Sequence, residues 1–253
     1  MQTCTHNTPS CLPHLPAGPE SIPRMFCFPF AGSSAEYYRQ WQPELKNNVR
    51  ICPVELPGRA SRHNEPLATE MDKLIAELTD ALQPLTDEPY IFFGHSLGSS
   101  IASLVVREFH KRGAALPKLF FASGRFPIHL QHARRICHTL SDDGLIDEIR
   151  RLGGTPEEVL IDPAFKQFFL PVVRADFQVL ETYTPLPPAA LDVPIRVLGG
   201  IDDEDSPEWT MEHWKELSSC QCTIRMFPGG HFFIDENRES IFEEIREQID
   251  NTL

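Results

Sequence analysis

Apolar residues in this chain come in short runs whose spacing alternates between two periods. Met25–Phe30 (MFCFPF) is a continuous apolar run that ends in Ala31-Gly32-Ser33-Ser34, the pattern of a buried strand running into a loop of small residues. Glu36–Leu45 reads as a short helix. Val49–Val54 reads as a second strand, closed by the turn Leu56-Pro57-Gly58-Arg59. Met71, Leu74, Ile75, Leu78 and Leu82 then form a stripe at helical spacing. Tyr90–Phe93 predicts a strand, Leu97–Arg112 a helix and Lys118–Ala122 another strand. Strands and helices that alternate in this way imply a mainly parallel sheet with helices on both faces.

The alternation stops near Pro127. Up to Tyr183 the best segments are helical: Asp142–Arg151, Pro156–Leu160 and Pro163–Leu180, with Asp143 and Pro156 placed as helix-start residues. Strands resume at Val193–Leu198 and Thr223–Phe227, and Arg238–Leu253 predicts a closing helix. The expected organisation is therefore a core at 23–126 and 184–253, with a helical lid inserted at 127–183. Residues 1–22, rich in Pro, Thr, Ser and His and without periodicity, are expected to be a flexible tail.

Composition narrows the function. The 253 residues are 41% hydrophobic and 23% charged, enough to bury a core in one large domain. A formal net charge of −13 argues against a nucleic-acid partner and against an anionic membrane face. Nothing near Met1 resembles a secretory signal, and no apolar run approaches a membrane span. Seven scattered cysteines, an odd count, suit reduced thiols. A cytoplasmic monomer is the expectation.

The chemistry concentrates at Gly94-His95-Ser96-Leu97-Gly98, a G-x-S-x-G motif between an apolar strand and a helix. That context is a nucleophile elbow, a turn so tight that its flanks need small residues, and it predicts the α/β-hydrolase fold with Ser96 as nucleophile. A serine hydroxyl needs a base, and the base needs an orienting carboxylate. The chain order in this fold is Ser, acid, His. His231, in Pro228-Gly229-Gly230-His231-Phe232 after the last strand, is the candidate base. The acid comes from Asp202, Asp203 or Asp205 in the cluster after Val193–Leu198, with Asp203 favoured. Backbone donors for a developing oxyanion are expected at Leu97 and on the first-strand loop, at Ala31 or Phe30. Phe30 and Gly32 are candidate substrate-binding residues there. His95 is expected to pack in the elbow. The mechanism needs neither a metal nor an organic cofactor.

Beyond this motif, the chain resembles the type II thioesterases of polyketide and nonribosomal peptide synthetases. It is also similar to the medium-chain thioesterase of fatty acid synthase. The resemblance is carried by CFPFAGSSAEYYRQW (27–41), ELPGRASRHNEPL (55–67), FFGHSLGSSIA (92–102), LGGTPEEVL (152–160), FFLPVVRADFQVLETY (168–183) and PGGHFFI (228–234). It implies Ser96, Asp203 and His231 as the triad, Leu97 and the Ala31 region as oxyanion donors, and 127–183 as the lid over an acyl channel. It further implies a substrate acyl group held as a thioester on the phosphopantetheine arm of a carrier protein, and synthetase modules as partners. One departure is Gly32-Ser33, where some relatives have two glycines.

Carrier proteins are usually acidic, so docking on an acidic enzyme calls for a local cationic patch. Arg59, Arg62, Arg125, Arg134 and Arg135 are the candidates. Rival readings with the same triad are a general carboxylesterase or lipase and an acyltransferase. A non-catalytic binding protein is the reading outside the enzymes.

Overall fold

The computed structural model describes residues 8–19, 21–130 and 136–252. Six strands form one sheet: β1 (Arg24–Phe28), β2 (Arg50–Pro53), β3 (Tyr90–His95), β4 (Leu119–Ser123), β5 (Ile195–Gly200) and β6 (Cys222–Phe227). Their order is β2-β1-β3-β4-β5-β6, and every neighbouring pair is parallel. The helices are α1 (Ala35–Arg39), α2 (Gln42–Leu45), α3 (Met71–Leu82), α4 (Leu97–Arg112), α5 (Asp142–Leu152), α6 (Glu157–Leu160), α7 (Leu170–Glu181), α8 (Glu208–Met211), α9 (Phe233–Glu236) and α10 (Arg238–Thr252).

Side-chain alternation along the strands divides the core into two layers. Phe26 and Phe28 of β1 pack with Leu74, Leu78, Ile101 and Val105 of α3 and α4. Met25 and Cys27 point the other way, into a layer with Tyr38, Trp41, Phe233, Phe242 and Ile245. The central β3 is buried along its whole length, which explains why its sequence is a continuous apolar run rather than an alternating one.

Between β4 and β5 the chain leaves the sheet and builds α5, α6 and α7. These close on a small core of their own, made of Cys137, Leu145, Ile146, Ile149, Leu160, Phe165, Leu170 and Val173. A π-helical turn, Phe165–Phe169, leads into α7. The α5 cap is Ser141, whose hydroxyl accepts from Gly144 N–H at 3.2 Å, and Asp143, expected at the helix start, lies two residues later within the first turn. Among the described residues no helix is long and apolar enough to cross a membrane.

Within the segment expected to be a tail, two residues pack into the core. Cys11 is 1% and Leu12 0% exposed, both within the α3/α4 layer, and Cys11 C=O accepts from Glu55 N–H at 2.8 Å. Farther along, the Arg50 guanidinium donates to Ile22 C=O at 2.8 Å. A segment with no helix or strand has no period to read, yet two apolar side chains and a few backbone bonds pin it to the sheet edge.

Candidate active site

Ser96 stands between the end of β3 and the first residue of α4, with φ 55° and ψ −116°. A positive φ is costly for a residue with a side chain. Here the surroundings impose it: Ser96 N–H donates to Ser123 C=O at 2.8 Å, and Ser99 N–H donates to Ser96 C=O at 3.0 Å. The two motif glycines make the turn possible. A Cβ on Gly94 would lie 2.4 Å from Gly98 backbone, and one on Gly98 would lie 2.1 Å from Phe28 C=O. Only hydrogen fits at either position.

The loops after β5 and β6 bring the other two groups to this turn. They are joined by Ile201 N–H to Phe227 C=O at 2.8 Å and Asp202 N–H to Gly229 C=O at 3.0 Å. His231 Nε2 lies 2.9 Å from Ser96 Oγ, and His231 Nδ1 lies 2.8 Å from Asp203 Oδ2. With the proton on Nδ1 shared with Asp203, Nε2 faces the serine with a lone pair. Asp203 is buried, and its second oxygen accepts from Asp205 N–H at 3.0 Å and Ser206 N–H at 3.3 Å. Both oxygens of the carboxylate are thus committed, which fixes its plane against the imidazole. The other acid candidates are elsewhere: Asp202 is exposed, and Asp205 pairs with Arg151 at 2.6 Å.

His95 packs behind the turn, fully buried, with Nδ1 2.9 Å from Ser123 Oγ and its ring 5.3 Å from that of His231. Burial, reinforced by the neighbouring imidazole, holds its pKa well below the ordinary value, so it stays neutral.

Above Ser96 opens a cavity of about 660 Å³. Phe30, Ala31, Gly32, Leu97 and His231 line its floor, and Ile149, Phe165, Phe169, Val173 and Phe177 line the side formed by the inserted helices. The N–H of Leu97, as the first residue of α4, has no partner one turn back within the helix. Phe30 meets Phe232 edge-on at 5.1 Å.

The cationic candidates divide differently. Arg59 is buried and forms a two-bond pair with Asp176, at 2.7 and 2.5 Å. Arg62 is buried and pairs with Glu65 and Glu77 while donating to Glu55 C=O at 3.0 Å. Neither is a surface cation, because both are buried and paired with carboxylates, two of which, Asp176 and Glu77, are distant in sequence. Arg125 lines the cavity, with its guanidinium 4.8 Å above the Phe126 ring. Arg134 and Arg135 lie outside the described residues. Asp176, which lines the cavity, is not among the residues the sequence reading singled out. Its one signal was a carboxylate in the apolar helical run LPVVRADFQVL.

The thioesterase domain family matches residues 23–249. Linear gramicidin dehydrogenase LgrE of Brevibacillus parabrevis is 33% identical, covering 98% of this chain and 96% of its own. Thioesterase PikA5 of Streptomyces venezuelae is 34% identical, over 91% of this chain and 82% of its own. Among solved structures, the type II thioesterase BorB from the borrelidin biosynthetic cluster superposes with a TM-score of 0.84 at 33% identity, over 92% of this chain and 95% of its own.

Proposed function

The chain belongs to the thioesterase domain family, and from that premise we propose that it is a type II thioesterase that hydrolyses acyl thioesters carried on the phosphopantetheine arm of a carrier protein. Membership makes it a hydrolase. The observation that supports acyl-enzyme chemistry is the unbroken chain Ser96 Oγ to His231 to Asp203, with bonds of 2.9 and 2.8 Å, at the floor of the cavity, and the relatives support the carrier-bound substrate. PikA5 is named a thioesterase and BorB comes from a biosynthetic cluster, which supports a carrier-bound substrate for this chain too.

The steps follow from the atoms. Ser96 Oγ attacks the thioester carbonyl as its proton passes to His231 Nε2. Charge that grows on the carbonyl oxygen is met by Leu97 N–H, at the positive end of a sixteen-residue helix, and by Ala31 N–H. The C–S bond then breaks, the imidazolium returns its proton to the departing thiolate, and Ser96 holds the acyl group. Water, deprotonated by the same Nε2, attacks the ester and releases the acid. Asp203 stays ionised throughout and keeps the imidazole in register.

The test is hydrolysis of an acyl group from a phosphopantetheinylated carrier protein, beside the p-nitrophenyl ester of the same acid and with Ser96→Ala as control. Turnover of the carrier thioester that disappears in Ser96→Ala is expected. Rapid cleavage of the phenyl ester with the carrier substrate ignored would make the protein a general esterase and overturn the reading.

A further inference from the structure

Asp176 lies midway along α7, 2% exposed, beside Val173 and Phe177 in the cavity wall. Its carboxylate joins three segments distant in sequence. Oδ2 accepts from Gly32 N–H at 2.8 Å and from Arg59 Nη1 at 2.7 Å, and Oδ1 accepts from Arg59 Nη2 at 2.5 Å. Arg59 Nη1 also donates to Ser33 C=O at 3.2 Å.

Such a pair needs a reason to exist. Taking two charges out of water is costly, and a well-packed apolar pair of the same volume often stabilises a fold as well or better. The recorded bonds of this pair include none to Ser96, His231 or Asp203. What they hold is the loop Phe30–Ser33. That loop turns on itself through Ser33 N–H to Phe30 C=O at 3.0 Å, and Gly32 takes φ +79°. A Cβ on Gly32 would lie 2.8 Å from Val173 Cγ2, so α7 rests directly on the turn. The N–H one peptide before the anchored Gly32 is that of Ala31.

We propose that Asp176, held by Arg59, is a positioning residue: it fixes the Phe30–Ser33 turn so that Ala31 N–H points at the oxyanion, and so couples oxyanion stabilisation to the seating of α7. This rests on the reading of Ala31 as an oxyanion donor. An outright loss of one such donor lowers kcat by about 10²–10³, and a donor that is present but misaimed loses part of that.

The experiment uses the full chain and two readouts. One is kcat and KM for acyl thioester hydrolysis. The other is the rate at which a fluorophosphonate labels Ser96, where Oγ attacks phosphorus, fluoride leaves, the serine proton passes to His231 and the P–O oxygen occupies the oxyanion site. Asp176→Asn keeps the shape but presents an NH₂ or a single acceptor to three donors. It is expected to lower kcat and labelling together by roughly ten-fold or more, with KM within about three-fold. Arg59→Lys keeps the charge and leaves Asp176 to hold Gly32, and should fall between wild type and Asp176→Asn. If Asp176→Asn is too unstable to assay, Arg59→Met/Asp176→Leu removes both charges and the Gly32 acceptor at once, and the same losses are expected. Wild-type kcat and labelling per folded molecule in either variant would overturn the inference, as would failure of both to fold, since the pair would then serve only the fold. A wild-type protein that labels at Ser96 but ignores thioesters would sink the substrate reading and leave this inference standing.

Discussion

The turn at Ser96 and the helical insertion over it solve opposite problems. At the turn, backbone atoms approach to distances that admit only glycine at positions 94 and 98, and one non-glycine residue is held at positive φ. The insertion closes on a small core and leaves Ile161 67%, Phe168 62% and Phe169 55% exposed. The turn is over-determined, as a reacting group must be to stay within a few tenths of an ångström of its base. The insertion is under-determined, as suits a wall that accommodates an acyl chain. Two such regions should answer mutation in different currencies: rate and foldability at the turn, selectivity at the insertion.

The largest effect is expected from Ser96→Ala. It removes the proposed nucleophile and leaves the cavity intact. Thioester turnover should fall by roughly 10⁴-fold or more, while affinity for a non-hydrolysable acyl analogue, measured by calorimetry, stays within a few-fold. A comparable loss of affinity would mean that the turn and the cavity wall are not separable.

Gly98→Ala comes next. Its Cβ would sit 2.1 Å from Phe28 C=O, and a backbone carbonyl in a central strand cannot yield as a side chain can. A loss of about 2–4 kcal/mol in stability is expected, read as a lowered urea midpoint together with slower phosphonate labelling. A variant of normal stability would show that the turn has slack the structure does not display.

Phe169→Ala tests the other region. Phe169 lines the cavity yet is more than half exposed, and it stacks on Phe165 at 6.0 Å. Truncation should leave the melting temperature nearly unchanged. It should alter the ratio of kcat/KM between long and short acyl thioesters by roughly three- to ten-fold, less than one methylene is worth in an enclosed apolar pocket, because Phe169 is half exposed. An equal loss on all chain lengths would assign Phe169 to substrate positioning rather than to selectivity.

The same contrast governs what the sequence discloses. α3 and α4 lie where their periodicity puts them, at 71–82 and 97–112, because an amphipathic stripe against a sheet leaves a long and redundant signal. The Ser96 turn is legible because its geometry admits so few residue types. Asp203 is one of four acids in four residues, three of them aspartates. In the structure its contact with His231 and the Asp205 and Ser206 N–H groups folding back on its carboxylate single it out, and periodicity encodes neither. Cys11 and Leu12 are isolated apolar residues in a proline-rich stretch, so their burial leaves no pattern. The short helices α8 and α9 are each a single turn, too brief for a stripe. Arg59 looked like a surface cation because its partner lies 117 residues away in α7. Long-range electrostatic pairs of this kind are the part of a site that local pattern reading does not reach.

Glu55 provides the smallest test of the comparison, and it uses pH. It follows β2, is 2% exposed, and accepts from Ala35 N–H at 3.3 Å. Burial pushes its carboxyl up to about 7, against the opposing pull of the Ala35 N–H and of Arg59 and Arg62. In the unfolded chain it ionises near the ordinary value of about 4.5. The folded pKa is raised, so between these values the unfolded state loses the proton that the folded state keeps, and stability falls as pH rises from about 4.5 to about 7. Glu55→Gln removes that dependence. It should raise stability at pH 8 relative to pH 4.5, by at most about 3 kcal/mol if the whole shift is realised, read from urea midpoints at the two pH values. In the insertion, Arg150 pairs with Asp147 and Glu157 in open solvent, and Arg150→Ala should leave the midpoint where it is at both pH values. If Glu55→Gln were equally silent, the carboxylate would be solvated in its ionised form, and the packing around the Phe30–Ser33 loop and its neighbours would be looser than the turn it supports.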